Sequence, residues 1–264
     1  MKPALNIAVS AARAAGQVIL RNMNHLPDIK VHTKGTNDFF SEVDHQAEQA
    51  IISTIQKAYP SHAILAEESG EHSGDDCQWI VDPLDGTTNY LHGIPQFCVS
   101  IAMRENNKLQ LGVVYDPLKE ELFCAIRGEG ATLNNRRIRV SKQRDLTGSL
   151  IGTGLPYRAD QELDIYLATL KALLEKTSGI RRAGSAALDL AYVAAGRFDG
   201  FWEFGLNIWD IAAGVILIQE AGGLVSDFDG GHQFLESGDV VAANTQLYKN
   251  LITTLNNAMK SAQA

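Results

Sequence analysis

The 264-residue sequence predicts a mixed α/β fold: an α+β half with an antiparallel sheet over residues 1–145, then an α/β half over residues 146–264. Three observations carry this reading. Two helical periodicities come first, a series of β-rich runs then follows with no helix between them, and helical and strand patterns alternate from about residue 145.

Leu5, Ala8, Ala12, Ala15 and Ile19 mark the first helix; Ala47, Ile51, Ile55 and Ala58 mark the second, which Pro60 stops. From Ala63 the period shortens. AILA, WIV, FCVSIAM, LGVVY and ELFCAI are short β-rich runs separated by Gly, Asn, Asp and Pro. Without intervening crossover helices they favour antiparallel pairing, in a sheet one face of which the two helices can cover. Asn134-Asn135 reads as a hairpin turn carrying a basic arm, Arg136, Arg137 and Arg139. Beyond SKQRDLTG, where polar residues and Gly148 break the apolar pattern, helices are expected near 160–176, 185–195 and 209–221, with FDGFWEF, LVSDF and VVAAN as strands and a helix at the end.

With 45% apolar and 20% charged residues the composition is that of a soluble globular protein. Polar residues such as Arg104, Asn106 and Asp116 interrupt every hydrophobic stretch, and Asn6, Ser10 and Arg13 fall where a signal peptide needs an apolar run. A cytoplasmic protein is expected. Cys77, Cys98 and Cys124 have no ligand spacing and read as reduced packing residues, and the seven His are expected on the surface or in loops. A net charge of -8 argues against nucleic acid as the main ligand.

The most informative segment is Trp79-Ile80-Val81-Asp82-Pro83-Leu84-Asp85-Gly86-Thr87-Thr88-Asn89. A buried strand ends at Asp82, Pro83 keeps the chain extended, and Gly86 turns it toward a helix start at Thr87-Thr88, whose amides could face a phosphate. Alone, Asp-Pro-Leu-Asp-Gly is an ordinary turn. A second acidic pair, Glu67-Glu68, ends the earlier strand, and two such clusters at neighbouring strand ends repel unless cations or protons intervene. Oxygen ligands without His or Cys suit Mg²⁺. Downstream, Asp210 opens an apolar helix as an ordinary first-turn acid, and Ser185 can cap another.

Taken in order, Glu67-Glu68, Asp82 to Asn89, Gly184-Ser185-Ala186-Ala187 and Trp209-Asp210 followed by Glu220-Ala221-Gly222-Gly223 closely resemble the inositol monophosphatase family over nearly the whole chain. LNIAV, DPLDGTTN and GSAALDLAYVAAGR look most like a bacterial branch of it. The resemblance implies a layered α-β-α-β-α sandwich of the inositol monophosphatase and fructose bisphosphatase type. It also implies Mg²⁺-dependent hydrolysis of inositol monophosphate and related polyol phosphates, without a phosphoenzyme and with sensitivity to lithium. About two or three Mg²⁺ ions would be held by Glu67, Asp82, the Leu84 carbonyl, Asp85 and Asp210.

By the same resemblance Glu67 and Thr87 activate water, Asp44 orients Thr87, and Lys34 approaches a metal from its loop. Gly86 and Thr87 cradle the phosphate; Asp85, Gly184, Ser185, Ala186, Glu203 and Asp210 contact the substrate, Glu203 through ring hydroxyls. Phe40-Ser41 stands where the family usually has Val-Thr, so the hydroxyl is kept beside a bulkier neighbour. A bisphosphatase of the same superfamily would need a basic second-phosphate site that is not identifiable in this chain. The bacterial branch further implies a homodimer and a partner role with RNA polymerase and its elongation factors in antitermination. A factor that binds the transcription machinery without catalysis is the alternative from a different class.

Overall fold

The computed structural model describes residues 1–23, 26, 31–35, 38–156 and 162–263, with the backbone alone for 31–35 and 38–40. Helix α1 (Lys2–Asn22) buries Ala4, Ala8, Ala11, Ala12, Ala15 and Ile19 along one face. The small side chains let it lie close against α2 (Glu42–Ala58), whose buried stripe is Val43, Ala47, Ile51, Ile52 and Ile55. Between them, β1 (Val31–Gly35) and β2 (Asp38–Ser41) pair antiparallel. This ribbon is absent from the sequence reading, because VHTKG and DFFS are too short and too polar to give a period of two.

The first sheet contains β3 (Ala63–Ala66), β4 (Gly70–His72), β5 (Cys77–Asp85), β6 (Cys98–Glu105), β7 (Lys108–Asp116), β8 (Glu121–Ile126), β9 (Gly130–Leu133) and β10 (Arg136–Arg137), with the short α3 (Thr87–Leu91) after β5. Its order is β10-β9-β8-β7-β6-β5-β3-β4, antiparallel throughout except where β3 lies parallel to β5. Asn106-Asn107 and Asn134-Asn135 form its two-residue turns at positive φ, the conformation that asparagine tolerates and a twisted hairpin needs. Trp79, Val81, Val99 and Ile101 face α1 and α2, while Ile80, Cys98 and Ala102 face the opposite way into a second core. Both faces are covered, which is why these strands read as continuous apolar runs.

That second core is closed by α5 (Ala186–Ala194) and α6 (Ile208–Glu220). Every residue of α6 from Ile211 to Ile218 is buried, as expected of a helix held between two sheets. The remaining elements are β11 (Leu150–Thr153), α4 (Leu163–Leu174), β12 (Gly179–Arg181), β13 (Gly200–Glu203), β14 (Gly223–Ser226), α7 (Phe234–Ser237), β15 (Val240–Asn244) and α8 (Tyr248–Ala262). The second sheet runs β12-β11-β13-β15-β14, parallel among the first three strands and antiparallel in the rest. Helices α4 and α8 pack together over its outer face through Tyr166, Leu173, Leu251 and Leu255.

The layers are therefore α1/α2, sheet, α5/α6, sheet, α4/α8: the expected α-β-α-β-α sandwich. Strands β11 and β12 were not anticipated, since LIGT and GIR carry too few apolar residues for a periodic signal. Among the described residues no helix is long and apolar enough to cross a membrane.

Candidate active site

The site begins with an irregularity in β5. Asp82 pairs with Ser100 and Asp85 with Cys98, so three steps along β5 match two along β6. The extra residue makes a bulge, and Pro83, which has no N–H to offer the ladder, sits within it. Leu84 N–H donates to Asp82 Oδ1 at 2.9 Å, closing the loop locally. Gly86 then takes φ +98, where a Cβ would also lie 2.9 Å from the Gln96 carbonyl oxygen, and the chain turns into α3.

Thr87 opens that helix, with Oγ1 at 3.0 Å from both Asp44 Oδ1 and the Leu84 carbonyl. Asp44 is fully buried in the first turn of α2, where its Oδ2 accepts from the Ser41 hydroxyl at 2.6 Å and the Ser41 N–H at 2.8 Å. Ser41, the departure from the family's Thr, thus uses its hydroxyl as the helix cap and as a partner for Asp44. Lys34 and Phe40 lie on β1 and β2, and their side chains are outside the described residues.

The other acids arrive from three directions. Glu67 continues β3 alongside β5, its N–H donating to the Val81 carbonyl at 3.1 Å. Asp85 Oδ2 accepts from the Ser185 hydroxyl at 2.6 Å and the Ala187 N–H at 2.8 Å, so the N-terminus of α5 is directed at this carboxylate. Asp210 accepts from the Asn207 N–H at 2.7 Å in a capping box, and so serves α6 as well as the site.

Glu67, Asp82, Leu84, Asp85, Gly86, Thr87, Gly184, Ser185, Ala186, Glu203 and Asp210 all line one cavity of about 370 Å³. Arg182 is the one Lys or Arg among the described residues lining it. Burial, then repulsion from Glu67, Asp85 and Asp210, pushes Asp82 well above the usual carboxylate range. Burial, then Asp85 and Glu67, does the same to Asp210, and burial raises Asp85 to about 6 against the hydrogen bonds that favour its charged form. Four mutually repelling acids beside a carbonyl oxygen, with no His or Cys among the described residues lining the cavity, fit a hard divalent cation.

A family model described as the inositol monophosphatase family matches residues 1–260. The chain belongs to the inositol monophosphatase family. A Pseudomonas aeruginosa protein named Nus factor SuhB is 55% identical over 261 residues, 97% of this chain and 96% of its own length. The crystal structure of the extragenic suppressor protein suhB from Bartonella henselae superposes with a TM-score of 0.93 at 45% identity, covering 96% of this chain and 98% of that one. An inositol monophosphatase from Anabaena (Nostoc) sp. PCC 7120 gives a TM-score of 0.84 at 40% identity over 97% of this chain and 96% of its own.

Within this inositol monophosphatase family fold, several residues near the site were given no part in it by the sequence. Glu48 is buried in α2 and accepts from the N–H groups of Glu68 and Ser69 at 2.8 and 2.9 Å, bracing the turn that carries Glu67. Cys98 packs directly behind Asp85, its Sγ 3.8 Å from Oδ2. Asn89 donates to the carbonyls of Gln96 and Ala183 at 2.7 and 2.9 Å, joining α3 to the Gly184 turn. Asp189, Thr153 and Gly154 complete the cavity wall. For Glu48 a signal existed: it shares the apolar face of its helix with Ile51, Ile52 and Ile55.

Away from the site, His62, Asp75 and Cys77 come within 4.8 Å of one another, although their spacing in sequence suggested no cluster. His62 Nδ1 accepts from the Trp79 indole at 3.1 Å and its ring stacks on Tyr59, so it is a packing residue.

Proposed function

We propose that the protein hydrolyses inositol monophosphate and related small polyol phosphates, with Mg²⁺ held by Glu67, Asp82, the Leu84 carbonyl, Asp85 and Asp210. The observation that carries this is the convergence of four carboxylates on one cavity whose lining holds a single arginine. The family is in general metal-dependent. Bound by these residues, magnesium would neutralise the carboxylates, draw charge from the phosphate and the departing alcohol oxygen, and make water easier to deprotonate.

The protein's own groups do the aiming. Thr87 has one hydroxyl proton, and Asp44, whose other oxygen accepts two hydrogen bonds from Ser41, takes it at 3.0 Å. With that proton committed, the Thr87 oxygen turns a lone pair outward to accept from the attacking water, and Glu67 takes the water's other proton. The first-turn amides of α3 have no intrahelical partner and face the phosphate. Glu203 and the Gly184 to Ala186 turn receive the alcohol. Phosphate release from inositol, sugar and nucleotide monophosphates, with and without Mg²⁺, tests the reading, and lithium should inhibit. If no substrate in that panel yields Mg²⁺-dependent phosphate, the proposal fails.

A second role rests on the name of the Pseudomonas relative, Nus factor SuhB. We infer that this chain also meets RNA polymerase and its elongation factors in the cytoplasm. Leu163, Leu167 and Leu174, one or more turns apart on α4, are exposed and support a protein contact there, as in a homodimer. Sedimentation and a pull-down with purified polymerase test both; a monomer that captures nothing would remove this role and leave the phosphatase reading in place.

A further inference from the structure

The basic arm after Asn134-Asn135 takes no part in the proposed reaction. Arg136, Arg137, Arg139, Lys142 and Arg144 follow one another closely, and between Glu129 and Asp145 the chain has no acid, although Asp and Glu outnumber Lys and Arg 31 to 23 in the whole sequence. All five are exposed, and none pairs with a carboxylate among the described residues. Arg137 Nη2 and Arg139 Nη1 donate to the carbonyls of Glu129 and Ile138 at 3.2 and 3.0 Å, which orients the two side chains and leaves them without a counter-ion.

Beyond β10 the chain is a strap that leaves the first sheet for the second, and it is anchored at every inward position. Ile138 and Val140 pack on the core between the sheets, and their N–H groups donate to the carbonyls of Ala131 and Ala221 at 3.0 and 3.3 Å. The buried Asn244 donates to Ser141 Oγ at 3.0 Å and to the Gln143 carbonyl at 2.9 Å. The strap also lies flush on two glycines: a Cβ on Gly223 would fall 2.9 Å from Val140 Cγ1, and one on Gly196 3.0 Å from the Arg139 carbonyl oxygen. With Ile138, Val140, Ser141 and Gln143 held inward, Arg137, Arg139, Lys142 and Arg144 are left outward. Cations on an edge strand can serve only to repel other strands, and Arg136 and Arg137 on β10 suit that role. Arg139, Lys142 and Arg144 come after the strand has ended, where there is no ladder to protect.

We propose that the strap from Arg136 to Arg144 is a docking surface for an extended acidic segment of a partner protein. Outward side chains two residues apart on an extended backbone are about 6.5–7 Å apart, which is also the spacing of carboxylates at alternate positions of an extended partner. The anchored backbone spares the ordering cost that a loose basic tail would incur. Single-stranded nucleic acid is the other extended polyanion, but its sites offer aromatic rings on which bases stack, and residues 134–148 contain no Phe, Tyr, Trp or His. The strap meets Gly196 past the C-terminal end of α5, whereas Ser185 and the cavity lie at its N-terminal end. A segment docked there leaves the cavity open.

The test follows the anisotropy of a labelled peptide of alternating Glu and Ser, and of a labelled oligouridylate, as full-length protein is added at low salt. The wild type should bind the peptide, more weakly as salt rises. Replacing Arg137, Arg139, Lys142 and Arg144 together by Gln should weaken that binding at least about tenfold, and replacing either the Arg137 and Arg139 pair or the Lys142 and Arg144 pair should give part of the loss. Arg→Lys at the three arginines, which keeps the charges, should retain most of it. Because all four side chains are exposed, the melting temperature should not change, which separates lost docking from lost folding. A wild type that ignores the peptide, or equal binding by the wild type and the fourfold Gln variant, would overturn the proposal. So would tighter binding of oligouridylate than of peptide with the same loss in the variant, which would make the strap a nucleic-acid site instead.

Discussion

Two buried acidic regions lie a short way apart, at the start of α2 and at the end of β5, and they differ in what surrounds them. Asp44 and Glu48 are both at 0% exposure, yet their oxygens accept from Ser41, Thr87, Glu68 and Ser69. Asp82, at 2% exposure, has the Leu84 N–H on one oxygen and otherwise faces Glu67, Asp85 and Asp210. Burial alone therefore does not mark a carboxylate that would hold a cation. Donors turn a buried acid into a brace; other acids turn it into a site that must take up protons or cations.

The largest effect should follow from Asp85→Asn, which removes one charge from the acid cluster at nearly constant volume. Turnover should fall by at least about a hundredfold as electrophilic assistance to the leaving oxygen weakens. The metal-free protein should not lose stability, because a repelling charge has gone and the Asn oxygen can still accept from Ser185 and Ala187. Full activity in the purified variant would refute the cluster. In cells the same substitution separates the two proposed roles: growth restored without phosphatase activity would assign the cellular requirement to partner binding.

Next is the response to pH and Mg²⁺. Asp85 has a folded value of about 6 against an ordinary 3.8, and Asp82 and Asp210 shift the same way. A carboxyl raised on folding contributes stability below its unfolded value and loses it as pH rises through the folded one. The metal-free protein should therefore melt lower at pH 8 than at pH 5. Magnesium needs the ionised cluster, so it should raise the melting temperature more at pH 8, by about 2.7 kcal/mol of stability at a hundred times its Kd. Equal Mg²⁺ responses at the two pH values would break the link between these acids and the cation.

The contrast between the two regions also explains what the sequence could disclose. Asp82 and Asp85 were legible because they share one segment with Pro83 and Gly86, whose backbone requirements announce a strand that ends abruptly. Asp210 read locally as a first-turn helix acid, which it also is, and only the ordered family blocks tied it to the same place; Asp44, in the first turn of α2, entered only through the family resemblance. Glu48 and Asp189 stayed hidden because each sits among alanines and branched aliphatics in a helix, where one acid does not disturb the apolar period. The three layers of helix were visible from their 3.6-residue periodicity, but β1, β2, β11 and β12, at three to five residues each, are too short to show a period of two, and β11 and β12 are made by pairing partners distant in sequence.

Glu48→Ala sharpens the comparison from the braced side. It removes two hydrogen bonds from backbone N–H groups to a charged acceptor and leaves a cavity in α2, so about 2–4 kcal/mol of stability should be lost, readable by denaturant titration. Activity at low temperature should suffer less than in Asp85→Asn, because the two hydrogen bonds of Glu48 go to the turn that carries Glu67 and Glu48 does not line the cavity. A variant as stable as the wild type would show that the Glu68 and Ser69 amides find other partners.

Ser41→Ala should have the smallest effect and is the most discriminating about how the two regions connect. The hydroxyl caps α2 and donates to Asp44 Oδ2, and loss of such a cap costs about 1 kcal/mol. Asp44 would keep its bonds from the Ser41 N–H and from Thr87, so it should remain an acceptor for the Thr87 proton. Turnover should then fall only a few-fold, while Ser41→Thr, which restores the family's usual hydroxyl, should match the wild type. If Ser41→Ala instead lost as much turnover as Asp85→Asn at temperatures where it stays folded, Asp44 would depend on its full set of donors to position Thr87, and Ser41 would have to be counted with Asp44 in the reacting machinery.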